Sequence, residues 1–399
     1  MPAAAAARET GIMLKLESLT LNGYRSFASG TNPRPPSGNG IHDDGGRIEF
    51  GDVTVLLGAN GAGKSNVISF FRMLAFLSTG ALQEYIGRCG YAESILHYGA
   101  SRTPVLEARL EFTDSGVRDV YSMRLAGASP DTLIFLDESI EYAATGHGNP
   151  LRKSLGSGHK ESRLEECANE GDNTCKFVLS LLRGCRPYHL HDTSDEAKIR
   201  KAGYIEDNRY LRSDAGNLAA FLYALRDTRP DYYRRIISTI QQAYPQFGDF
   251  RLEPSERNFS YILLNWFERH HPDYLMGPHQ LPDGALRFIA LATVFLQPPE
   301  KLPRVIVIDE PELGLHPHAL SLLAGLIGSV TEHSQIILAT QSVPLVSHFD
   351  LSWIRVVEHR EGASHVLRFD REAFADWLEE YSTGELWEKS VIGGGPRHE

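Results

Sequence analysis

The order of apolar and polar residues along the chain predicts an α/β protein. Residues 13–27 alternate between apolar and polar positions, as a strand does when only one of its faces is buried. The run Val53–Leu57 is short, apolar and uncharged, which is typical of a strand buried on both faces of a parallel sheet. Apolar residues then recur at helical spacing over residues 64–78. The start of the chain therefore predicts a strand, a loop and a helix in succession.

The middle of the chain changes its pattern several times. Residues 28–46 are rich in Gly, Pro, Ser and Asn and are expected to form a surface loop. Residues 104–142 contain three strand-like runs separated by turn-prone residues, which predicts antiparallel strands. Residues 143–162 are rich in Gly, Ser and Lys and are expected to be mobile, whereas residues 163–245 show mainly helical spacing. We find neither an internal repeat nor sustained heptads, so the sequence predicts no long coiled-coil arms.

A glycine-rich turn joins the first buried strand to the first helix. Residues 58–65 are GANGAGKS, which matches the G-x-x-x-x-G-K-[ST] pattern in the strand–loop–helix context that a phosphate-binding loop (P-loop) requires. Glycines let backbone N–H groups wrap phosphate oxygens, and the helix N-terminus adds its positive dipole. Lys64 would contact the β- and γ-phosphates and Ser65 would ligate Mg²⁺; a chance glycine-rich turn is the alternative. The candidate nucleotide-binding residues of this loop are Asn60, Gly61, Ala62, Gly63, Lys64 and Ser65.

A second apolar run ends in carboxylates. Residues 304–308 predict a strand, and Asp309 and Glu310 follow it at the sheet edge where α/β proteins bind ligands. Asp309 would hold Mg²⁺, and Glu310 would act as the general base toward the attacking water. A solvated strand end is the alternative for so common a string, but the upstream P-loop favours the catalytic interpretation. The long separation of the two motifs leaves room for an inserted lobe.

These motifs resemble those of the RecF/SMC/OLD branch of ABC ATPases. The loop LPDGALR at 281–287, ahead of a predicted helix, is similar to the signature region of that branch, and Asn66 after GKS is typical of it. The resemblance to small stand-alone bacterial ATPases of this branch covers nearly the whole chain. The segments that carry it are YRSF (24–27), YHLHDTS (188–194), GNLAAFLYAL (216–225), DEPELGLHPHAL (309–320), ATQS (339–342) and WLEEYSTGELWEK (377–389).

The resemblance implies that two protomers sandwich two ATP molecules. Asp283, Gly284 and Arg287 would then contact the γ-phosphate held by the other protomer, with a helix-capping surface turn as the alternative. The chain departs from the pattern at Pro282, where a signature serine is usual, and this weakens the expectation of fast hydrolysis. Gln341 occupies the place of a switch histidine and would orient water, unless it only caps the strand at 335–339.

Three further residues remain, of which Arg25 and Glu312 have two interpretations each. Asn66 is expected to contact nucleotide on the resemblance alone. Arg25 would contact nucleotide from the first strand or is a surface charge. Glu312, together with His316, lies where ABC proteins carry a loop between protomers, and a structural role is equally compatible with its position.

The predicted fold is an ABC-type (RecF/SMC-like) P-loop nucleotide-binding fold with a mixed sheet and an inserted, mainly helical lobe. The predicted segments are 13–142, the first half of the ATPase domain with the P-loop; 143–280, the inserted lobe; 281–370, the second half with the signature-like loop and the carboxylate pair; and 371–399, a tail.

The expected activity is hydrolysis of ATP with Mg²⁺ by a homodimer or higher oligomer. The resemblance implies action on DNA in anti-phage defence or repair, together with a separately encoded effector such as a Toprim-like nuclease. The alternative is an ATP-dependent assembly scaffold with negligible hydrolysis, which Pro282 favours. An ABC transporter subunit is disfavoured because LSGGQ and the switch histidine are absent.

Bulk composition changes this picture little. The net charge is −11, which argues against a uniformly basic coat but leaves room for a local basic groove. Four cysteines without CxxC spacing favour free thiols over zinc or disulfides. The alanine-rich start lacks the features of a signal peptide, and no window suits a membrane span, so a cytoplasmic location is expected.

Overall fold

The computed structural model describes residues 14–30, 40–114, 116–144, 150–255 and 257–394. The chain forms two compact units: unit 1 comprises residues 1–186 and 350–399, and unit 2 comprises residues 187–349. The P-loop therefore belongs to unit 1, whereas the carboxylate pair belongs to unit 2 with most of the expected lobe. This division differs from the predicted one, because residues 143–144 and 150–186 belong to unit 1.

The strands, in chain order, are β1 (Lys15–Asn22), β2 (Ile41–Asp43), β3 (Arg47–Glu49), β4 (Val53–Leu57), β5 (Val105–Asp114), β6 (Val117–Ala128), β7 (Thr132–Ala144), β8 (Leu151–Gly156), β9 (Cys185–Tyr188), β10 (Gly203–Tyr204), β11 (Phe247–Phe250), β12 (Pro254–Ser255), β13 (Asn258–Ile262), β14 (Trp266–Glu268), β15 (His271–Met276), β16 (Val305–Asp309), β17 (Gln335–Thr340), β18 (Ile354–Arg360) and β19 (Ala363–Phe369).

The α-helices are α1 (Lys64–Leu77), α2 (Leu82–Arg88), α3 (Tyr91–Ile95), α4 (Leu164–Asn169), α5 (Asn173–Gly184), α6 (Leu218–Thr228), α7 (Pro230–Ala243), α8 (Asp283–Leu296), α9 (Pro317–Ser329), α10 (Val343–Val346), α11 (Ala375–Glu380) and α12 (Thr383–Glu388). Every helix among the described residues falls short of the length and apolarity that a bilayer crossing requires.

Unit 1 contains two sheets. An antiparallel sheet has the order β3-β1-β5-β6-β7-β8, and it confirms the strands predicted for 13–27 and 104–142. In a second sheet β18 pairs in parallel with β4 and antiparallel with β19, so this sheet is mixed as expected. All five residues of β4 are buried, as the uncharged run Val53–Leu57 predicts. Helix α1 buries its apolar face, including Val67, Phe70 and Leu74, and packs against α2 and α5.

Unit 2 carries the second half of the motifs. Strands β16 and β17 pair in parallel and confirm the two predicted C-terminal strands. Helix α8 begins at Asp283, within the segment expected to precede it, and nearly all of it is buried. Two small antiparallel sheets complete the unit, with the orders β10-β13-β12 and β11-β14-β15.

Two expectations about irregular regions are wrong. Residues 151–156 form strand β8, which pairs with β7, so this part of the segment expected to be mobile is ordered by a sheet. Cys167 and Cys175 form a disulfide, whereas Cys89 and Cys185 are not disulfide-bonded. Spacing along the sequence cannot show that the turn between α4 and α5 brings two cysteines together. Residues 31–39 of the expected loop and 145–149 lie outside the described residues.

Candidate functional site

The P-loop of unit 1 connects the buried strand β4 to helix α1. Gly63 forms the N-cap of α1 with φ 112°, a conformation that glycine adopts without strain. A Cβ at Gly58 would lie 2.3 Å from the carbonyl oxygen of Val357, so only glycine allows this turn to approach β18. Asn60, Gly61 and Ser65 are exposed. The loop therefore presents an accessible glycine turn at the N-terminus of a helix, which suits a phosphate.

Lys64 is the first residue of α1 and is only 5 % exposed. Its ammonium donates to the carbonyl oxygens of Gly58 (2.7 Å) and Ala59 (3.0 Å), so the side chain folds back along the loop. This arrangement holds a positive charge next to the exposed turn. The charge can interact with a phosphate placed there, as the sequence predicts.

Two serines from distant parts of unit 1 brace the P-loop, and the sequence analysis did not single them out. Ser364 Oγ lies 2.6 Å from the carbonyl oxygen of Ala62 and 2.7 Å from Ser26 Oγ. Asn66 Nδ2 donates to Ser26 Oγ at 2.7 Å. A hydroxyl has one hydrogen, so a consistent chain runs from Asn66 through Ser26 and Ser364 to Ala62. Ser26 lies in YRSF, one of the segments that carry the family resemblance. No pattern in the sequence indicated a role for Ser364.

Replacing Ser364 with Ala should lower ATP affinity about three- to tenfold, because the Ala62 carbonyl loses a buried hydrogen bond and the loop loosens. The loss should lower the free energy of unfolding by about 1–3 kcal/mol. Titration calorimetry with MgATP and thermal melting measure the two effects. Ser180→Ala, at an exposed position on α5, is the matched control. Unchanged ATP affinity in Ser364→Ala would show that this serine does not support the P-loop.

Arg25 lies beside aromatic residues of unit 1. Its backbone has φ 48°, and its guanidinium carbon is 5.8 Å from the centre of the Tyr24 ring. Burial opposes its charge, yet the neighbouring Tyr24, Tyr85 and Cys89 together raise the pKa of Arg25. The side chain is therefore directed toward this cluster, so a contact with nucleotide stays a prediction from sequence.

The carboxylate pair of unit 2 lies at the end of β16. Asp309 is its last residue, and Asp309 Oδ1 is buried without a hydrogen-bond partner among the described residues. A buried carboxylate oxygen with no donor is costly unless a cation or water occupies its lone pairs. Asp309 thus fits the ligand role for Mg²⁺ that the sequence predicts.

Glu310 has a strained backbone. Its φ is 39°, an unusual value for a residue that is not glycine, and its N–H donates to the carbonyl oxygen of Ala339 at 2.7 Å. The following Pro311 also disfavours right-handed helical geometry at this position. Glu310 Oε1 lies 3.4 Å from Gln341 Nε2. The strand ends therefore place the predicted base beside the predicted water-orienting amide.

Glu312 forms a second contact between the same strand ends. Thr340 Oγ1, fully buried, donates to Glu312 Oε1 at 2.5 Å, while Glu312 Oε2 is buried without a partner among the described residues. Desolvation raises the pKa of Glu312 and the hydrogen bond from Thr340 offsets this only in part; the charge of Glu310 adds to the increase. Glu312 therefore links the loop after β16 to the end of β17.

The raised pKa of Glu312 has a consequence for stability. The unfolded chain ionises this carboxyl at its ordinary pKa, so the stability of the fold falls as pH rises from that value through the raised one. Glu312→Gln cannot ionise. It should therefore raise the melting temperature relative to wild type by roughly 2–4 °C more at pH 8 than at pH 4. Melting curves across this range measure the difference, with the exposed Glu332→Gln as control. A difference that is independent of pH would contradict the assignment.

The signature-like loop of unit 2 packs directly on the loop that follows the carboxylates. A Cβ at Gly284 would lie 2.2 Å from the carbonyl oxygen of Gly314, so the two main chains touch. Pro282 is the N-cap of α8 and supplies no side-chain cap. Asp283 is the first residue of α8. The loop therefore offers the helix N-terminus and the Gly284 main chain for recognition.

Arg200 braces this loop from within unit 2, a role the sequence analysis missed because an Arg-Lys pair is usually a solvated surface feature. It is 3 % exposed, and its Nη2 donates to Asp283 Oδ1 at 2.6 Å. It also donates to the carbonyl oxygens of Thr193, Pro278 and Leu281. Arg200 thus fixes the turn before α8.

Arg287 occupies a different environment from the expected one. It is 6 % exposed and donates to the carbonyl oxygens of Leu190 (2.9 Å), His191 (2.8 Å) and Leu313. Desolvation lowers its pKa. A contact in trans needs an exposed guanidinium, so the structure corrects this expectation: Arg287 is a brace between α8 and the loop after the carboxylates.

Comparisons with known proteins agree with the fold. Residues 273–347 match a family described as "AAA domain, putative AbiEii toxin, Type IV TA system". No curated protein matches the sequence. The structure resembles an SMC head bound to the C-winged helix domain of ScpA, with 18 % identity, a TM-score of 0.57, and coverage of 90 % of this chain and 99 % of that chain.

A second similar structure is an Smc head domain with an extended coiled coil, derived from Pyrococcus furiosus and bound to the C-terminal domain of ScpA. It shares 16 % identity with a TM-score of 0.52, over 92 % of this chain and 99 % of that chain. The chain therefore has an α/β fold similar to that of SMC head domains.

Proposed function

We propose that this chain binds ATP with Mg²⁺ and hydrolyses it. The observation that carries the proposal is the P-loop, an exposed glycine turn that ends in Lys64 at the start of a 14-residue helix. Ser65, with its exposed side chain, and Asp309, with its unpartnered buried oxygen, would hold Mg²⁺. Mg²⁺, when bound, neutralises phosphate charge and helps to orient the nucleotide. Glu310 accepts a proton from the attacking water, and Gln341 orients that water.

An assembly scaffold with negligible hydrolysis is the second candidate. Pro282 favours it, because the N-cap of α8 lacks the hydroxyl and the N–H of a signature serine. Steady-state phosphate release with MgATP, measured with and without DNA, separates the two functions. ATPase function predicts a turnover that falls about a hundredfold or more in Asp309→Ala. If the wild-type chain released phosphate only at the background rate, both with and without DNA, the result would support the scaffold function.

A dimer that closes on ATP, with a separate partner protein, is part of this proposal. The two similar SMC heads are bound to domains of ScpA, which supports a partner for this chain as well. The family description, which names a toxin system, supports a role in defence against phage, with DNA repair as the alternative. Tagged purification tests the partner: a stoichiometric companion such as a Toprim-like nuclease is expected.

We also propose that DNA is the substrate on which the ATPase acts, and an exposed aromatic face in unit 2 supports this. Tyr204, Phe259 and Tyr261 are 51 %, 75 % and 42 % exposed. Tyr204 pairs with Tyr261 across β10 and β13, and residues two apart on a strand share a face, so the three rings lie together. Ile262, which points to the opposite face, is buried. Exposed aromatic rings stack on unpaired bases, and the exposed Arg257 can contact phosphate.

The double variant Phe259→Ala, Tyr261→Ala should lower affinity for a single-stranded oligonucleotide about tenfold or more, since each stacked base contributes about 1–3 kcal/mol. Fluorescence anisotropy at fixed salt measures the change. Tyr274→Ala is the matched control, because Tyr274 is 62 % exposed on another sheet of unit 2. Equal affinities of the double variant and the control would show that this face does not contact DNA.

A further inference from the structure

A cluster that the nucleotide chemistry does not use lies at the turn between α4 and α5. Cys167 of α4 is bonded to Cys175 of α5. Lys153 Nζ, from the edge strand β8, lies 3.0 Å from Cys167 Sγ and 2.7 Å from Asp172 Oδ2. Asp172 Oδ1 accepts the N–H of Cys175 at 2.9 Å and caps α5. The Lys153 ammonium therefore contacts both Cys167 and Asp172, and Asp172 caps the helix that contains Cys175.

The charge arrangement makes Cys167 the more reactive of the two cysteines once the bond is reduced. An ammonium next to a sulfur stabilises the thiolate, which is the nucleophilic form. Cys167 is 7 % exposed and Cys175 is 0 % exposed, so a small oxidant reaches Cys167 first. The Cα atoms are 6.0 Å apart, so Cys175 can form the bond without movement of the main chain.

We propose that Cys167 is a site of reversible oxidation by hydrogen peroxide, that it closes a disulfide with Cys175, and that this bond adjusts nucleotide turnover. The Cys167 thiolate attacks one peroxide oxygen, the O–O bond breaks, and the departing hydroxide takes up a proton to become water. The Cys175 thiol then attacks the sulfenic sulfur, the S–O bond breaks, and the hydroxide leaves with the thiol proton as a second water. Two electrons pass from the sulfurs to peroxide, and a dithiol reverses the change by exchange.

The connection to the nucleotide site runs through Arg183 near the end of α5. Its Nε donates at 3.0 Å to the carbonyl oxygen of Ser78, the C-cap of α1, and its Nη2 donates to Glu165 of α4 at 2.7 Å. Helix α1 begins with Lys64 of the P-loop. The disulfide ties α4 to α5, so it stiffens the pair of helices on which the far end of the P-loop helix rests.

A metal site is less compatible with this cluster. Ligand atoms of Cys167, Asp172 and Cys175 lie within 4.8 Å of one another, but they are only three among the described residues. The Lys153 ammonium already contacts two of them, and its charge opposes a divalent cation. Structural zinc sites usually have four protein ligands. The geometry therefore favours redox chemistry.

The test compares two states of the full chain: the chain reduced with dithiothreitol, and the same chain after treatment with hydrogen peroxide. Alkylation of the unfolded protein should count four thiols before and two after, and peptide mapping should find the Cys167–Cys175 link. Oxidation should raise the melting temperature by roughly 2–5 °C and change ATP turnover about twofold or more. The double variant Cys167→Ser, Cys175→Ser should show neither effect. Lys153→Met should slow closure of the disulfide about tenfold, whereas the exposed Lys176→Met should not.

The turnover readout rests on the proposed ATPase function, whereas thiol counting and melting do not. A chain without turnover that still shows the melting shift would refute the ATPase function and retain the redox pair. Equal melting and turnover in both redox states would overturn the inference. Stoichiometric zinc in the reduced wild type, lost in the double serine variant, would overturn it in favour of a metal site.

Discussion

Replacing Glu310 with Gln should lower ATP turnover about a hundredfold or more while ATP affinity stays within about threefold of wild type. The amide keeps an oxygen that can accept from Gln341, so the geometry of the strand ends is preserved. It cannot take a proton from water, so the chemical step loses its base. Phosphate release gives the turnover, and equilibrium binding of a fluorescent ATP analogue gives the affinity.

The same variant should also change assembly. With binding intact and hydrolysis blocked, the proposed closed dimer should accumulate, and light scattering with MgATP should detect it. The exposed Glu332→Gln, also in unit 2, serves as the control and should match wild type in both assays. Unchanged turnover in Glu310→Gln would assign the base to another residue.

Replacing Lys64 with Ala should weaken MgATP binding about a hundredfold or more. The ammonium is buried along the loop and supplies charge-assisted hydrogen bonds, each with a contribution of about 1.5–3 kcal/mol. Alanine removes the charge and leaves the carbonyl oxygens of Gly58 and Ala59 without this donor. Titration calorimetry with MgATP measures the affinity.

Two further measurements make the Lys64 result specific. Lys176→Ala removes an exposed lysine from α5 of the same unit and should bind ATP like wild type. Thermal melting shows whether Lys64→Ala remains folded, so that a loss of binding reports on the loop. A folded Lys64→Ala variant with wild-type affinity would contradict the proposed nucleotide site.

The sequence predicts best those features that local physics determines. Strand β4 and helix α1 follow from an uncharged run, a glycine turn and helical spacing, all within one stretch of chain. The carboxylates at the end of β16 follow from the same logic. Each of these elements is determined by residues close to it in the chain, so its pattern can be recognised from the sequence alone.

The braces of the site could not be predicted in this way. Ser364 meets Ala62 across most of the length of the chain, and Arg200 meets Asp283 through the packing of unit 2. Arg287 was expected to contact the nucleotide of a second protomer, but it is buried and donates to three carbonyl oxygens of unit 2. Pairings of this kind arise from tertiary packing, which no local pattern encodes. The disulfide between Cys167 and Cys175 was missed for another reason: the two residues are only 8 apart, but their spacing does not reveal the turn between α4 and α5 that brings them together.

The contact of Gly284 with Gly314 leaves no compressible side chain between two stretches of main chain. A shift in the segment after Glu310 must then push the beginning of α8 by a similar amount, because bare backbone cannot absorb the displacement by changing rotamer. The two glycines therefore couple the loop after the carboxylates rigidly to the start of α8. An alanine at position 284 would force the two stretches apart, so this position should tolerate less variation than its place in the first turn of α8 suggests.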